Sequence, residues 1–280
     1  MKIKTDWNQW LHNYRKRELY IIFSRCPKKV FKFTLEIGAG DGFQSKLLNN
    51  YTEKLISTDI NPARLKLDAS ESIEYKICDA ERLDDTFEKE QFDLVFSSNL
   101  LEHVPNPSAV LSGIYHILKN DGLAIHVLPN RFWKLCQLLF FIPHQFIRAL
   151  EILTTRDGLV AFYKKIEKVG GGDINNQKIC IQKKSFLYRL LMPMPHGISF
   201  GHPEELFAFS KRRWIEEFRR TQFEVIAIKK GPVQSGYGFG FDCIRNILEK
   251  IGFYSENIYV TTKRGKDSPY RQYFNHKDNL

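Results

Sequence analysis

The sequence predicts an α/β protein built on a doubly wound, mostly parallel sheet. Short apolar runs alternate with amphipathic segments from residue 33 to residue 128, and a glycine-rich turn follows the first run. Strands separated by helix-length segments pair in parallel through crossovers and carry helices on both faces. A polar residue also recurs at the end of successive strands. Such sheets bind ligands there, outside the carboxyl ends of the strands.

The elements follow in order. "FTLEI" (33–37) reads as the first strand and "GFQSKLLNNY" (42–51) as the helix after it. "KLISTD" (54–59) is the second strand, and "NPARLKL" (61–67) a short helix. "IEYKIC" (73–78) and "FDLVFSS" (92–98) are the third and fourth strands. "PSAVLSGIYHIL" (107–118) has apolar residues at helical spacing, and "GLAIHVLP" (122–129) is the fifth strand. Residues 130–203 break this alternation with a very apolar stretch, "GGGD" (170–173) and "MPMPHGISFGH" (192–202). Regular structure resumes with a helix that Ser210 caps and whose apolar face includes Trp214 and Phe218. "FEVIAI" and "NIYVTTKR" (257–264) complete the strands, and the polar tail after Gly265 is expected to fray.

Composition narrows the classes. The 280 residues are 43% hydrophobic, which is ample for a buried core, and the net charge of +10 favours an anionic partner. Five cysteines, odd in number, lie far apart with no CxxC pair, against a disulfide framework or a zinc knuckle. The N-terminus is charged throughout and lacks the apolar core of a signal peptide. "LCQLLFFIPHQFIRAL" (135–150) is interrupted by Gln137, Pro143, His144 and Arg148, so no membrane span is expected there. The expected location is the cytoplasm, with the inner face of the membrane as a further site.

"TLEIGAGDGFQS" (34–45) carries the first chemistry. Gly38, Gly40 and Gly42 give G-x-G-x-G, and Phe43 stands where a dinucleotide-binding turn has its third glycine. Glu36 precedes Gly38 by two residues, and a carboxylate there repels a pyrophosphate but favours a cation. Asp59 ends the second strand, placed to accept hydrogen bonds from a ribose; Asp79 follows the third, and Asn99 the fourth. A single strand-end carboxylate is usually a helix cap. The repetition at 20 to 23 residues argues for a shared ligand.

With these motifs the chain resembles the class I S-adenosylmethionine-dependent methyltransferases. The resemblance rests on "LEIGAGDG", "STDINP", "CDAERL" and "FDLVFSSNLLEHVPNP". It implies a seven-stranded Rossmann-like sheet with an inserted acceptor-side or lid region after the fifth strand, and S-adenosylmethionine as cofactor. It also implies Glu36, Gly38, Ala39 and Gly40 around the methionine part, Asp59 on the ribose hydroxyls and Ile60 beside the adenine. Asp79 and Ala80 would read the adenine edge, and Ser98 and Asn99 would line the methionine end. The chain then divides into a helical cap (1–30), a cofactor-binding core (31–130) and an apolar, basic insertion (131–203). C-terminal elements complete the sheet (204–264), and a polar tail follows (265–280).

The acceptor is less constrained. No Pro-Pro follows Asn99 and no Pro-Cys pair occurs, which disfavours methylation of nucleic-acid bases. "LLEHVPNP" resembles the branch acting on small molecules, including the O-methyltransferases of quinone biosynthesis, and places His103 on the acceptor side. His103 is therefore the expected catalytic base, against the alternative that it shapes the loop. His196, His202 and Glu204 lack a third ligand of diagnostic spacing, so no metal is expected. Apolar residues fall nearly all around 132–153, so the segment is expected to be buried as a lid, against a second copy, or in an anionic membrane. "PHGISFGH" followed by "FSKRRWIEEF" resembles methyltransferases of bacterial envelope biosynthesis, favouring a small-molecule, glycan or lipid-linked acceptor. The leading expectation is O-methylation. Methylation of carbon or nitrogen, for instance on a quinone, and a non-catalytic cofactor-binding partner are the alternatives.

Overall fold

The computed structural model describes residues 7–65, 72–154, 192–193, 201–234, 236–237 and 242–274. Seven strands form one sheet in the order β3-β2-β1-β4-β5-β7-β6. They are β1 (Phe31–Ile37), β2 (Thr52–Asp59), β3 (Ile73–Ile77), β4 (Phe92–Ser98), β5 (Leu118–Pro129), β6 (Phe223–Lys230) and β7 (Glu256–Lys263). The first five pair in parallel, and β7 runs antiparallel between β5 and β6. The order reverses at β1, whose neighbours are β2 and β4. The crevice of a doubly wound sheet lies at that reversal.

Side-chain alternation splits the core into two layers. Leu94, Phe96, Ile258 and Val260 face one way, while Val95 and Tyr259 face the other. The first layer is covered by α1 (Trp7–Phe23) through Leu19, Ile22 and Phe23. The second is covered by α3 (Pro107–Ile117) and α6 (Lys211–Arg220), through Ile114, Trp214 and Phe218. Between these lie α2 (Phe43–Leu48), α4 (Arg131–Thr154) and α5 (His202–Ala208); α7 (Asp242–Lys250) precedes β7. The Ser210 hydroxyl caps α6 by accepting the Arg213 N–H at 3.3 Å, as its sequence position predicts.

Three local expectations need correction. The short helix expected over 61–67 is, in its described part, a single turn. The Asn61 side chain accepts the Ala63 N–H and its carbonyl accepts that of Arg64, so the local bonds close a turn rather than a helix. The tail does not fray immediately after Gly265. Residues 269–273 form a 3₁₀ turn, Phe274 is buried edge-on against Phe23, and Tyr270 packs on Phe31. Aromatic side chains hold this part of the tail although its composition is polar.

The segment 132–153 is not buried all round. Trp133, Cys136 and Phe141 turn inward with Lys134 and Gln137, whereas Leu135, Leu139, Ile142, Phe146 and Leu150 are exposed. Lys134 is fully buried because its ammonium pairs with Glu205 at 2.6 Å and bonds Gln137 at 2.5 Å. The polar anchor thus faces in and an apolar stripe faces out. The "GGGD" stretch, Lys164, Lys165 and His196 lie outside the described residues.

Replacing Phe274 by alanine should cost about 3 kcal/mol, since it deletes a buried ring in a filled layer. Chemical denaturation of the variant measures this. A loss near zero would mean that the tail does not dock.

Candidate functional site

The glycine turn is built from the register of β1 on β2. Gly38 and Ala39 both donate their backbone N–H to Thr58 O at 2.8 Å, and Gly40 donates its own to Asp59 Oδ2 at 3.0 Å. The three amides therefore point into the protein and are not free donors for a ligand. A turn that binds pyrophosphate needs such donors, while a cation is better served by a turn whose N–H groups are taken. Gly38 has φ +77° and a side chain there would meet Leu100 at 3.0 Å, so this glycine serves packing. Gly40 has φ +58° and open space where a side chain would be. It is the glycine in this pair that leaves room above the turn.

Phe43 also has a partner that explains it. Its ring stacks on His12 of α1 at 3.9 Å between centroids, and His12 Nε2 meets Asp41 Oδ2 at 2.8 Å. The position where a dinucleotide turn carries glycine instead anchors the N-terminal helix.

Asp59 is 6% exposed, and its second oxygen accepts the Asn61 N–H at 2.9 Å. Each oxygen thus takes one backbone donor and keeps a lone pair. Ile60 beside it is 66% exposed. Asp79 is exposed and accepts the Glu81 N–H, while Ala80 is buried. These two sit at the end of β3, one strand further out than Asp59.

Glu36 is paired in register with Ser57 of β2, whose hydroxyl donates to Glu36 Oε2 at 2.8 Å; Ser45 of α2 donates to the same oxygen. Burial pushes this carboxyl up to about 7, against the pull of the two hydroxyls and of Arg15. Ser98 closes β4, and Asn99 follows with φ +49°, its amide donating to Ser98 Oγ at 3.2 Å and to Glu256 Oε1 at 3.3 Å.

The structure adds residues that the sequence reading missed. Helix α1 lays Arg15 and Glu18 over the carboxyl ends of β1 and β4. Arg15 donates to Ser98 Oγ at 2.5 Å and to Glu18 Oε2 at 2.8 Å, and Ser98 Oγ donates to Glu18 Oε1 at 2.9 Å. Gln44 donates to the same Glu18 oxygen at 2.8 Å. Glu256 accepts from Gln234 at 2.7 Å. Glu102 is buried, and among the described residues neither of its oxygens has a hydrogen-bond partner. Burial pushes both Glu102 and Glu256 up to about 8, and the Arg15 charge opposes this in each. One guanidinium thus faces Glu18, Glu36, Glu102 and Glu256. The signal in the sequence was a charged residue on the apolar stripe of α1, where Trp10, Tyr14, Glu18 and Ile22 are all buried at four-residue spacing.

His103 lies on the loop after β4, 41% exposed, with Nε2 3.9 Å from Glu102 Oε1. Desolvation and the Arg64 charge lower its pKa, so the imidazole is neutral at pH 7. His202 sits 3.8 Å from Glu205, whose carboxylate is engaged by Lys134. It belongs to the contact between α4 and α5, away from the crevice.

A methyltransferase-domain family profile matches residues 35–126, from within β1 to within β5. Residues 35–126 thus resemble the domain of the S-adenosylmethionine-dependent methyltransferases. Two similar curated proteins are ubiquinone biosynthesis O-methyltransferases. That of Pseudomonas entomophila is 31% identical over 140 residues, 48% of this chain and 58% of that protein. That of Bartonella bacilliformis is 30% identical over 131 residues, 43% of this chain and 52% of that protein. The chain thus spans about half the length of the relatives it matches.

Among solved structures, the S-adenosylmethionine dependent methyltransferase of Mesorhizobium loti superposes with a TM-score of 0.51 at 10% identity, covering 88% of this chain and 97% of that one. The [4+2]-cyclase SpnF superposes at 0.50 and 12% identity, covering 94% of this chain and 85% of that one. These likenesses bear on fold alone, and the cyclase shows that the fold of the methyltransferase domain does not fix a reaction.

The residues present fit the cofactor. A crevice with buried carboxylates and inward-turned amides suits a ligand bearing a sulfonium and an ammonium, and the Asp59 lone pairs suit two adjacent hydroxyls. Cation binding favours the ionised form of Glu36, so affinity for S-adenosylmethionine should rise with pH up to about 7. From pH 5.5 to 7, calorimetry should show a gain of up to about tenfold per pH unit, and Glu36→Gln should flatten the curve. A wild-type affinity independent of pH in this range would show that Glu36 does not face the cation.

Proposed function

We propose that the chain methylates a hydroxyl group of a small-molecule, glycan or lipid-linked acceptor. The observation that carries the reading is the crevice at the β1 reversal, where buried carboxylates converge on Arg15 and the glycine turn offers no free amide. S-adenosylmethionine supplies, when bound, an electrophilic methyl group on a cationic sulfur. In this reading Glu36 and the turn at Gly38, Ala39 and Gly40 receive the methionine end, and Arg15 is the cation placed to meet a carboxylate there. Asp59 holds the ribose hydroxyls, with Ile60 against the adenine. Asp79 and Ala80 read the adenine edge. Ser98 and Asn99 line the methionine end beside the acceptor.

His103 sits on the adjoining loop with a neutral imidazole, the form that accepts a proton. It takes the acceptor's hydroxyl proton as the oxygen becomes an ether, a task for which an imidazole titrating below neutrality is suited. The protein's further contribution is to align the acceptor and exclude water. That the similar curated proteins are O-methyltransferases of ubiquinone biosynthesis supports an oxygen acceptor here.

A lipid-linked acceptor is favoured by α4. Leu135, Leu139, Ile142, Phe146 and Leu150 recur at three- and four-residue spacing on its outward side. No helix among the described residues is long and apolar enough to cross a membrane. Such a stripe suits a helix lying in the interface of an anionic membrane.

Two outcomes test the reading. His103→Ala should lower turnover about a hundredfold while leaving the affinity for S-adenosylmethionine within about twofold; unchanged turnover removes the base. Co-sedimentation with anionic vesicles should be lost in Leu139→Ser/Phe146→Ser. If the wild type stays in the supernatant, α4 does not contact lipid.

A further inference from the structure

A cleft of about 670 Å³ runs beside α3 and reaches Lys263, the last residue of β7. Glu256, at the crevice, is the first residue of that strand, so the two lie about 23 Å apart along it. Lys263 lines the cleft and is 2% exposed. Its ammonium lies over the Tyr115 ring, 4.7 Å from the centroid, and no hydrogen bond or ion pair reaches it among the described residues. An aromatic face meets one side of an ammonium and leaves its N–H groups unanswered, and lysine is seldom buried on such terms. Lys134, also buried, has both Glu205 and Gln137.

The carboxylate that acts on Lys263 stops short of it. Burial lowers the pKa of Lys263 and the Glu90 charge raises it, yet the two form no ion pair. Glu90 lines the same cleft and has φ +54°, uncommon for a residue with a side chain. It is kept there because its N–H donates to His116 O at 3.0 Å and that of Gln91 to Ile117 O at 2.7 Å. The last turn of α3 therefore holds a carboxylate near a buried cation without joining them. A zwitterion fits between the two, its carboxylate on Lys263 and its ammonium on Glu90. Lys89 lies close enough to Lys263 to add positive charge at that end.

The cleft continues past Ser112 and Ala109 to Glu81 and Asp84. Glu81 marks the N-terminal end of α3, where one of its oxygens accepts the Asn106 N–H at 2.8 Å. From His116 back to Ala109 the helix rises about 10 Å, a span that one long side chain covers. Acidic residues at that far end select a positive charge.

We propose that this cleft binds a free α-amino acid with a cationic side chain, held by its carboxylate on Lys263, its ammonium on Glu90 and its side-chain charge at Glu81 and Asp84. The distance from the crevice separates this ligand from the methyl acceptor, so the assignment stands apart from the methyl-transfer reading.

Titration calorimetry of the full chain at pH 7 tests this, with L-arginine and L-lysine as probes. At least one should saturate the chain one-to-one. For that amino acid, the analogue without a carboxylate (agmatine or cadaverine) should bind at least about tenfold more weakly. So should its Nα-acetyl derivative and the uncharged norleucine. In Lys263→Gln the amino acid and its decarboxylated analogue should bind alike, and in Glu90→Gln the amino acid and its Nα-acetyl derivative should do so. Asp84→Asn, at an exposed position, should weaken the amino acid about fivefold and leave norleucine unchanged. Excess S-adenosylmethionine should not shift the affinity. The proposal is overturned if neither amino acid saturates, or if S-adenosylmethionine competes, which would place the amino acid in the crevice. Equal binding of the decarboxylated analogue to the wild type also overturns it, as does equal binding of the Nα-acetyl derivative, which would point to a peptide C-terminus. Should Lys263→Gln fail to fold, Glu90→Gln and Asp84→Asn decide: wild-type discrimination in both overturns the proposal.

Discussion

The site depends on holding several carboxylates out of water at the carboxyl ends of parallel strands. Glu36, Glu18, Glu102 and Glu256 are each buried, and Arg15 is the guanidinium they share. Burying a charge without compensation is expensive, so such groups either take a counter-ion or hold their protons. Here both occur: Arg15 engages Glu18 directly, and the other three are pushed toward or above neutrality. A cationic ligand relieves the same imbalance. The N-terminal helix is therefore part of the site, held there by the His12–Phe43 stack and the Glu18–Gln44 bond.

The glycine turn follows the same logic. Its amides are spent on Thr58 and Asp59, which fixes the turn to β2 and removes the positive potential that a nucleotide phosphate would need. Asp59 consequently has two tasks, clamping the turn and presenting the lone pairs that remain. A substitution there would disturb the loop as well as any ligand contact, whereas Ile60 and Asp79 are free of such structural duty toward the turn.

The sequence made the sheet and its ligand-binding end legible because periodicity, the glycine turn and the strand-end acids are local patterns. Residues 33–37, 54–59 and 92–98 fall within or match their strands for that reason. What it hid was long-range. Nothing near Arg15 in the chain announces Ser98, 83 residues away, and nothing near Glu256 announces Asn99. Composition misled at the tail, where Phe274 and Tyr270 outweigh the polar residues around them. It misled again at α4, where a buried Lys134 depends on Glu205 from a separate helix. Single-residue oddities, such as Glu18 on an apolar stripe and Phe43 in a glycine turn, were the visible traces of these contacts.

The most direct test of the account is the selectivity of the crevice for a cationic nucleoside. Calorimetry of the full chain at pH 7 with S-adenosylmethionine and, separately, with NAD should show saturable, one-to-one binding of the sulfonium compound and no heat from the dinucleotide. Equal affinity for the two, or binding of NAD alone, would contradict the claim that buried carboxylates and inward-facing amides define this site.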